Sequence, residues 1–104
     1  MKIVILHRIP FEKMRYDQIL DHHAHEVIYF CLSAPQAPLP AGATVVVLGQ
    51  PHFDAAFLIE HHARHLAGAD RLIARSEYDL MGAARLRDHF AIPRRYPRPH
   101  PAPA

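Results

Sequence analysis

Short, nearly continuous hydrophobic runs alternate along this chain with longer stretches in which hydrophobic positions recur every three or four residues. The runs lie at residues 2–7 (KIVILH), 25–32 (HEVIYFCL), 43–48 (ATVVVL) and 72–74 (LIA). Runs without alternating polar positions predict strands that are buried on both faces. Because helical segments connect them, we expect these four strands to run parallel in one sheet.

Three amphipathic segments predict the helices. The first covers residues 12–22, the second covers residues 53–67 and ends at Gly68 in a left-handed conformation, and the third ends before Pro93. Ser76 is expected to begin the third helix, and Asp79 three residues later predicts a capping box. The predicted inner faces are Tyr16, Ile19, Leu20 and His23 on the first helix; Ala56, Ile59, Ala63 and Leu66 on the second; and Leu80, Ala83, Leu86 and Phe90 on the third. The prediction is a three-layer α/β fold with a parallel sheet of about four strands and three helices, whose strand order stays open.

Composition is ordinary for one globular domain. The chain has 104 residues, of which 50% are hydrophobic and 21% are charged, and its formal net charge is +2. So small a charge gives no support to nucleic acid as the main partner. The single cysteine, Cys31, excludes an internal disulfide and is predicted to be a buried hydrophobe. No hydrophobic stretch has the length of a secretory signal or a membrane span, so we expect a cytoplasmic location.

Residues 94–104 (RRYPRPHPAPA) differ from the rest of the chain. Their alternating prolines, with no core-forming residue after Tyr96, predict a disordered Pro/Arg-rich tail behind a folded domain of residues 1–93. A run of almost only Arg, Pro, His and Ala is also what a GC-rich gene read out of frame encodes, which predicts a frameshifted or degenerate end. The alternative is a small α/β binding module with a working basic tail that engages a protein partner or nucleic acid. Its phosphate contacts would come from Arg85, Arg94, Arg95 and Arg98, with Tyr96 between them.

Polar residues follow the predicted strands at their carboxyl ends, where open parallel sheets bind ligands. Arg8 follows the first strand and could hold a carboxylate or a phosphate. Ser76 and Glu77 follow the fourth strand, and Glu77 could accept hydrogen bonds from an amine or a hydroxyl group. Ser33 and Gly49-Gln50 occupy the corresponding places after the second and third strands. The alternative is that all of these are ordinary polar loop ends.

Ten histidines raise the question of a metal site. His61 and His65 are four residues apart and could share one face of the helix predicted over residues 53–67. That face lies opposite the predicted hydrophobic stripe, and no third ligand is fixed by the spacing. We therefore predict surface histidines without a metal, and keep the His61 and His65 pair as the alternative.

Two segments carry a more specific pattern. DRLIARSEYDLMGAARLRDHFAIP, residues 70–93, resembles the closing segment of the pre-ATP-grasp domain, which is the N-terminal domain of ATP-grasp ligases. MKIVILHRIPFEKMRYDQILDH, followed by HEVIYF, resembles the N-terminus of bacterial ATP-grasp proteins of the carboxylate–amine ligase type. The matching positions in the closing segment are Asp70, Ser76, Glu77, Leu80, Ala84, Leu86, Arg87, Ile92 and Pro93.

The resemblance covers residues 1–93 and implies a flavodoxin-like, or biotin-carboxylase-N-terminal-like, α/β domain that lines the substrate side of an active site. It implies that Arg8, Ser76 and Glu77 contact the substrate. In the family, ATP and magnesium are held by two later subdomains, and Arg94 stands where the family has the glycine of the turn leading into them. The resemblance therefore implies a truncated chain with no cofactor of its own and no activity alone. Its expected partners are the missing subdomains, a second chain that supplies them, or another copy of itself.

Overall fold

The sheet predicted from the hydrophobic runs is present. The computed structural model describes residues 1–8, 20–35 and 38–93. Its strands are β1 (Lys2–His7), β2 (Glu26–Cys31), β3 (Thr44–Val47) and β4 (Arg71–Ala74). All neighbouring strands are parallel, in the order β3-β2-β1-β4. The predicted fold class, a small α/β fold with a parallel sheet of about four strands, is confirmed and is consistent with a flavodoxin-like domain.

The two central strands, β1 and β2, are hydrophobic at every inner position because both of their faces are covered. Residues 3–6 and 27–31 are at most 3% exposed. Successive side chains of a strand point to opposite faces, which divides the core into two layers. Val4, Leu6, Ile28 and Phe30 pack with the helices in the first layer, whereas Ile3, Ile5, Val27, Tyr29 and Cys31 form the second.

The described helices are α1 (Ala55–His61), α2 (Ala63–Leu66) and α3 (Leu80–Phe90). The single helix predicted over residues 53–67 is therefore wrong: it begins two residues later and is interrupted at His62. Asp54 sets the start, because its Oδ1 accepts a hydrogen bond from the Ala56 N–H at 3.0 Å.

These shifts rotate the buried face of the segment. Ala55, Leu58 and Leu66 are buried, whereas Ala56 and Ala63 of the predicted stripe are exposed. The break between α1 and α2 changes the phase, since each helix presents its own side to the sheet. The predicted left-handed end is confirmed, with Gly68 at a φ of 75°.

A turn of 3-10 helix, Glu77–Asp79, precedes α3 in place of the predicted capping box. The Ser76 Oγ accepts from the Tyr78 N–H at 3.3 Å. The Asp79 carboxylate does not return to Ser76 but is held by Arg8. The capping-box prediction is therefore wrong in its second half, because a stronger charged partner takes the carboxylate.

The same turn changes which side of α3 faces the core. Leu80 is 49% exposed, so its predicted place on the inner face is wrong. Ala83 and Leu86 are fully buried as predicted, and Phe90 packs against the first layer while staying partly exposed.

The helix predicted over residues 12–22 lies outside the described residues except at its end. Leu20 to His22 are not helical, because the Asp21 Oδ1 accepts the N–H groups of His23 at 2.9 Å and Ala24 at 3.2 Å and closes a turn. These backbone hydrogen bonds lower the pKa of Asp21.

The histidine buried in this turn is not the one that the pattern predicted. His23 is exposed, whereas His22 is only 8% exposed. The Nε2 of His22 lies 2.8 Å from the Tyr29 hydroxyl oxygen, and its Nδ1 lies 3.1 Å from the Leu20 carbonyl oxygen. His22 therefore fixes the turn against the second layer of the core.

Two other predictions concern the tail and membrane-spanning segments. The tail, residues 94–104, lies outside them, so its disorder and its role in binding stay predictions. Within the part of the chain that the structure describes, no helix has the length and hydrophobicity needed to cross a membrane.

Candidate functional site

The strand order reverses between β1 and β4. The chain places β2 and β3 on one side of β1, then returns through α1 and α2 to place β4 on the other side. Ligands of open α/β sheets bind outside the carboxyl ends of the strands at such a point. Arg8 directly follows β1 there, and the 3-10 turn before α3 follows β4.

An ion pair joins these two segments. The Arg8 Nε donates to the Asp79 Oδ2 and the Arg8 Nη2 donates to the Asp79 Oδ1, each at 2.9 Å. This two-point geometry matches the planar guanidinium to the carboxylate and fixes the orientation of both groups. The Asp79 side chain is 2% exposed and the Arg8 side chain 27%, so the carboxylate forms the inner end of the pair.

Hydrogen bonding to Asp79 raises the pKa of the Arg8 guanidinium, an effect that outweighs the opposing cost of burial. The Arg8 guanidinium is therefore charged throughout the physiological pH range. The carboxylate occupies one edge of the guanidinium, and among the described residues no other group accepts a hydrogen bond from Arg8. Donors on its outer edge are thus available to a ligand.

An open cavity of about 380 Å³ lies beside this pair. Its walls are Arg8, His52, Phe53, Tyr78 and Asp79. The guanidinium carbon of Arg8 is 5.6 Å from the centre of the Phe53 ring and 5.9 Å from that of Tyr78, distances at which a cation is attracted to an aromatic face. The cavity thus combines a fixed cation with two aromatic surfaces and the exposed imidazole of His52.

Of the residues predicted to contact a substrate, Arg8 lies in the cavity, whereas Ser76 and Glu77 do not line it. The Ser76 hydroxyl caps the 3-10 turn, and the Glu77 side chain is exposed at the surface. The polar residues after β2 and β3, Ser33 and Gly49-Gln50, are likewise absent from its walls. Substrate binding by Ser76 and Glu77 stays a prediction.

Sequence reasoning missed Asp79, Phe53 and Tyr78. The sequence pattern predicts Asp79 in a capping box and Phe53 at the start of a helix, whereas both residues contact Arg8 in the folded chain. The available signal was an acidic residue shortly after the fourth strand and a cation directly after the first. Only the neighbouring position of β1 and β4 makes these two residues partners, and no local pattern predicts that position.

The two histidines of the metal alternative have different surroundings in the structure. His61 is exposed, with its Nε2 4.0 Å from the Glu60 Oε2, whereas His65 packs edge-on against Phe30. His62 also contacts the Phe30 ring, and the imidazole centres of His62 and His65 are 6.1 Å apart. His61 is therefore at the surface as predicted, whereas His65 is only partly exposed. No group of three metal-ligating side chains occurs among residues 1–8, 20–35 and 38–93.

Burial lowers the pKa values of His62 and His65, and nearby positive charges lower them further. For His62 these charges are His65, His61 and Arg64, and for His65 they are Arg64 and Lys2, opposed by Glu26. Between the lowered values and the ordinary value of about 6.5, the unfolded chain binds more protons than the folded chain.

We therefore expect the free energy of unfolding to decrease as the pH falls below about 6.5, and to level off below the lowered pKa values. Urea denaturation at a series of pH values measures this change. Replacing both His62 and His65 with glutamine should flatten the profile, and the same replacement of the exposed His23 serves as the control for a histidine outside this cluster. An equally steep profile in the double variant would contradict the assignment.

The prediction that Cys31 is a buried hydrophobe is confirmed, with 2% of the residue exposed. Burial raises the pKa of its thiol. A protonated, inaccessible thiol is a poor nucleophile, so Cys31 contributes packing rather than chemistry.

No protein-family model, curated protein or solved structure matches this chain. The fold and the cavity define its class as a small α/β domain with a charged, aromatic-walled cleft at the switch point of a parallel sheet.

Proposed function

We propose that this chain is the substrate-side domain of an ATP-grasp ligase of the carboxylate–amine type, and that its cavity receives a carboxylate. The observation that carries the proposal is the Arg8–Asp79 pair at the switch point of the sheet, beside an open cavity. The family resemblance of residues 1–93 agrees with this proposal and implies that Arg8 contacts the substrate.

The chemistry of the cavity favours a small carboxylate with a flat or hydrophobic body. The outer edge of the Arg8 guanidinium can donate two parallel hydrogen bonds to a carboxylate, in the geometry that it already makes with Asp79. Phe53 and Tyr78 offer aromatic surfaces to the remainder of the ligand. Buried Asp79 holds the guanidinium in place, so little conformational entropy is lost when a ligand binds.

Asp79 also balances the charge of Arg8, so attraction at long range is small and affinity depends on hydrogen-bond geometry. We expect binding in the millimolar range by this domain alone. In this proposal the groups that hold ATP and magnesium come from further subdomains or a second chain, and the protein works in the cytoplasm. Formation of the amide bond then requires those parts as well as the carboxylate site.

Titration with acetate, benzoate and glutamate, followed by protein NMR, tests the carboxylate site. The expected result is a saturable shift of the Arg8, Phe53 and Tyr78 signals, largest for benzoate because it combines a carboxylate with an aromatic ring. Arg8→Lys should abolish the shifts, since lysine keeps the charge but loses the planar two-point geometry. The matched control is Arg75→Lys, which changes an exposed arginine outside the cavity.

Shifts that are equal in Arg8→Lys, or that spread over the surface without saturating, would overturn the carboxylate site. A second measurement addresses the ligase assignment: the purified chain is incubated with ATP, magnesium and pooled carboxylates and amines. We expect no release of phosphate above the blank. Turnover by this chain alone would contradict its role as only the substrate side of a ligase.

A further inference from the structure

β3 forms one edge of the sheet and is unusually hydrophobic for an exposed strand. Val45 and Val47 are 41% and 50% exposed. Natural sheets protect such edges with charged residues, prolines or bulges. Here the segment from residue 27 to residue 51 contains no Asp, Glu, Lys or Arg. The other edge differs, because β4 begins at Arg71 and is followed by Arg75.

The backbone of β3 has hydrogen-bonding groups that point away from the sheet. The Leu48 N–H donates to the Cys31 carbonyl oxygen of β2 at 2.8 Å. Backbone groups alternate in direction along a strand, so those of Val46 also point towards β2 while those of Val45 and Val47 point outwards. Exposure of both valines leaves these outward groups accessible to another strand.

We propose that a second copy of this chain pairs with β3 in antiparallel orientation, about a two-fold axis that passes between the two Val46 residues. In this register Val45 lies opposite Val47 of the second copy, and the reverse pair forms on the other side of the axis. Both pairs consist of residues whose backbone groups point outwards, so four hydrogen bonds can form. The product is one continuous sheet of eight strands, with the four of each copy parallel to one another.

The same register brings the exposed valine side chains of the two copies into contact. Val45 and Val47 lie in register with Tyr29 and Cys31 of β2, on the face of the second core layer. A two-fold axis perpendicular to the sheet keeps this face on one side, so the exposed valines of one copy cover those of the other. The contact is self-complementary, which favours a second copy over an unrelated partner.

Neighbouring registers are blocked by hydrogen bonds already made. A register centred on Val45 needs the backbone of Ala43, whose N–H donates to the Pro40 carbonyl oxygen at 3.3 Å. A register centred on Val47 needs the backbone of Gly49, whose N–H already donates to the Leu32 carbonyl oxygen at 3.0 Å. The short contact also predicts a weak, reversible dimer rather than a permanent one.

Sedimentation velocity over a range of concentrations tests this proposal. We expect a dimer that dissociates on dilution, with a substantial dimer fraction at about 100 µM. V45K/V47K places lysine opposite lysine and should weaken the dimer at least about tenfold. V45K/V47E places lysine opposite glutamate across the axis and should restore it. Both valines are exposed, so circular dichroism is expected to show an unchanged fold in all variants.

Disulfide cross-linking of two variants, each with one added cysteine, tests the register. The two Val46 residues form a non-hydrogen-bonded pair whose Cα atoms are about 4.5 Å apart, within reach of a disulfide. Val46→Cys should therefore yield a disulfide-linked dimer on mild oxidation, whereas Val45→Cys should not. Native Cys31 is buried and provides the background. A monomer at every concentration, an unaffected V45K/V47K dimer, or cross-linking through position 45 would each overturn the proposal.

Discussion

Replacing Arg8 with methionine is expected to lower the free energy of unfolding by about 3 kcal/mol at neutral pH, because a buried charge loses its partner. The Asp79 carboxylate is 2% exposed and receives two hydrogen bonds at 2.9 Å from Arg8. Methionine keeps much of the volume beside Phe53 but donates nothing to that carboxylate. Urea denaturation of the variant and the wild type measures the difference.

The converse replacement should cost less. In Asp79→Asn the cation left behind is Arg8, which is 27% exposed and can turn towards water. We expect a loss of about 1–2 kcal/mol. The double variant R8M/D79L should recover most of the stability, since it removes both charges from a site that hydrophobic side chains can fill. Arg75→Met, on an exposed arginine, serves as the control. Equal losses in the two single variants would show that the buried end of the pair is not the carboxylate.

Truncation of Phe30 to alanine is the other large expected effect, with a loss of about 3–5 kcal/mol. Phe30 is fully buried in the first layer of the core, and its ring contacts the imidazoles of His62 and His65 at centre distances of 5.6 and 6.0 Å. Removal of the ring leaves a cavity between the central strand β2 and the helices. A loss of this size is a large share of the total stability of a small domain, about 5–15 kcal/mol.

Thermal and urea denaturation of Phe30→Ala measure this loss, with Phe30→Leu as the graded control. Leucine fills most of the space, so its cost should be about 1 kcal/mol. The two imidazoles should also become more accessible to water in Phe30→Ala, and their pKa values should rise towards the ordinary value because the burial that lowers them is reduced. Unchanged histidine titration in a folded Phe30→Ala variant would contradict the role given to this ring.

The strands and their parallel arrangement were predictable because the hydrophobic runs are uninterrupted and the segments between them are long enough for crossover connections. The strand order was not. Pairing of β1 with β4 depends on the packing of the whole chain rather than on any local pattern. Arg8 and Asp79 are 71 residues apart in the sequence and form an ion pair only because β1 and β4 are neighbours. This ion pair could therefore not be predicted without the strand order.

The errors in the predicted helix starts and buried faces have a local cause. The predicted helix starts are residue 53 and Ser76, but Asp54 caps α1 at Ala55 and Ser76 begins a 3-10 turn. A shift of one or two residues rotates a helix by 100° or more, which exchanges buried and exposed positions such as Ala55 and Ala56. The position of Arg8 at a possible ligand site was predictable because it directly follows β1. Its aromatic neighbours are gathered by tertiary contacts, which the sequence does not reveal.

The central position of β1 has a consequence for how the chain folds. The Lys2 N–H donates to the Asp70 Oδ2 at 2.8 Å, and the Asp70 N–H donates to the Lys2 carbonyl oxygen at the same distance. β1 therefore lacks one of its two neighbours until β4 has been synthesised. Closing so long a loop is entropically costly and slows folding relative to a helical domain of similar size. We therefore expect loss of β4 to destabilise the whole sheet, because residues 3–6 of the central strand β1 would lose their backbone partners on one side.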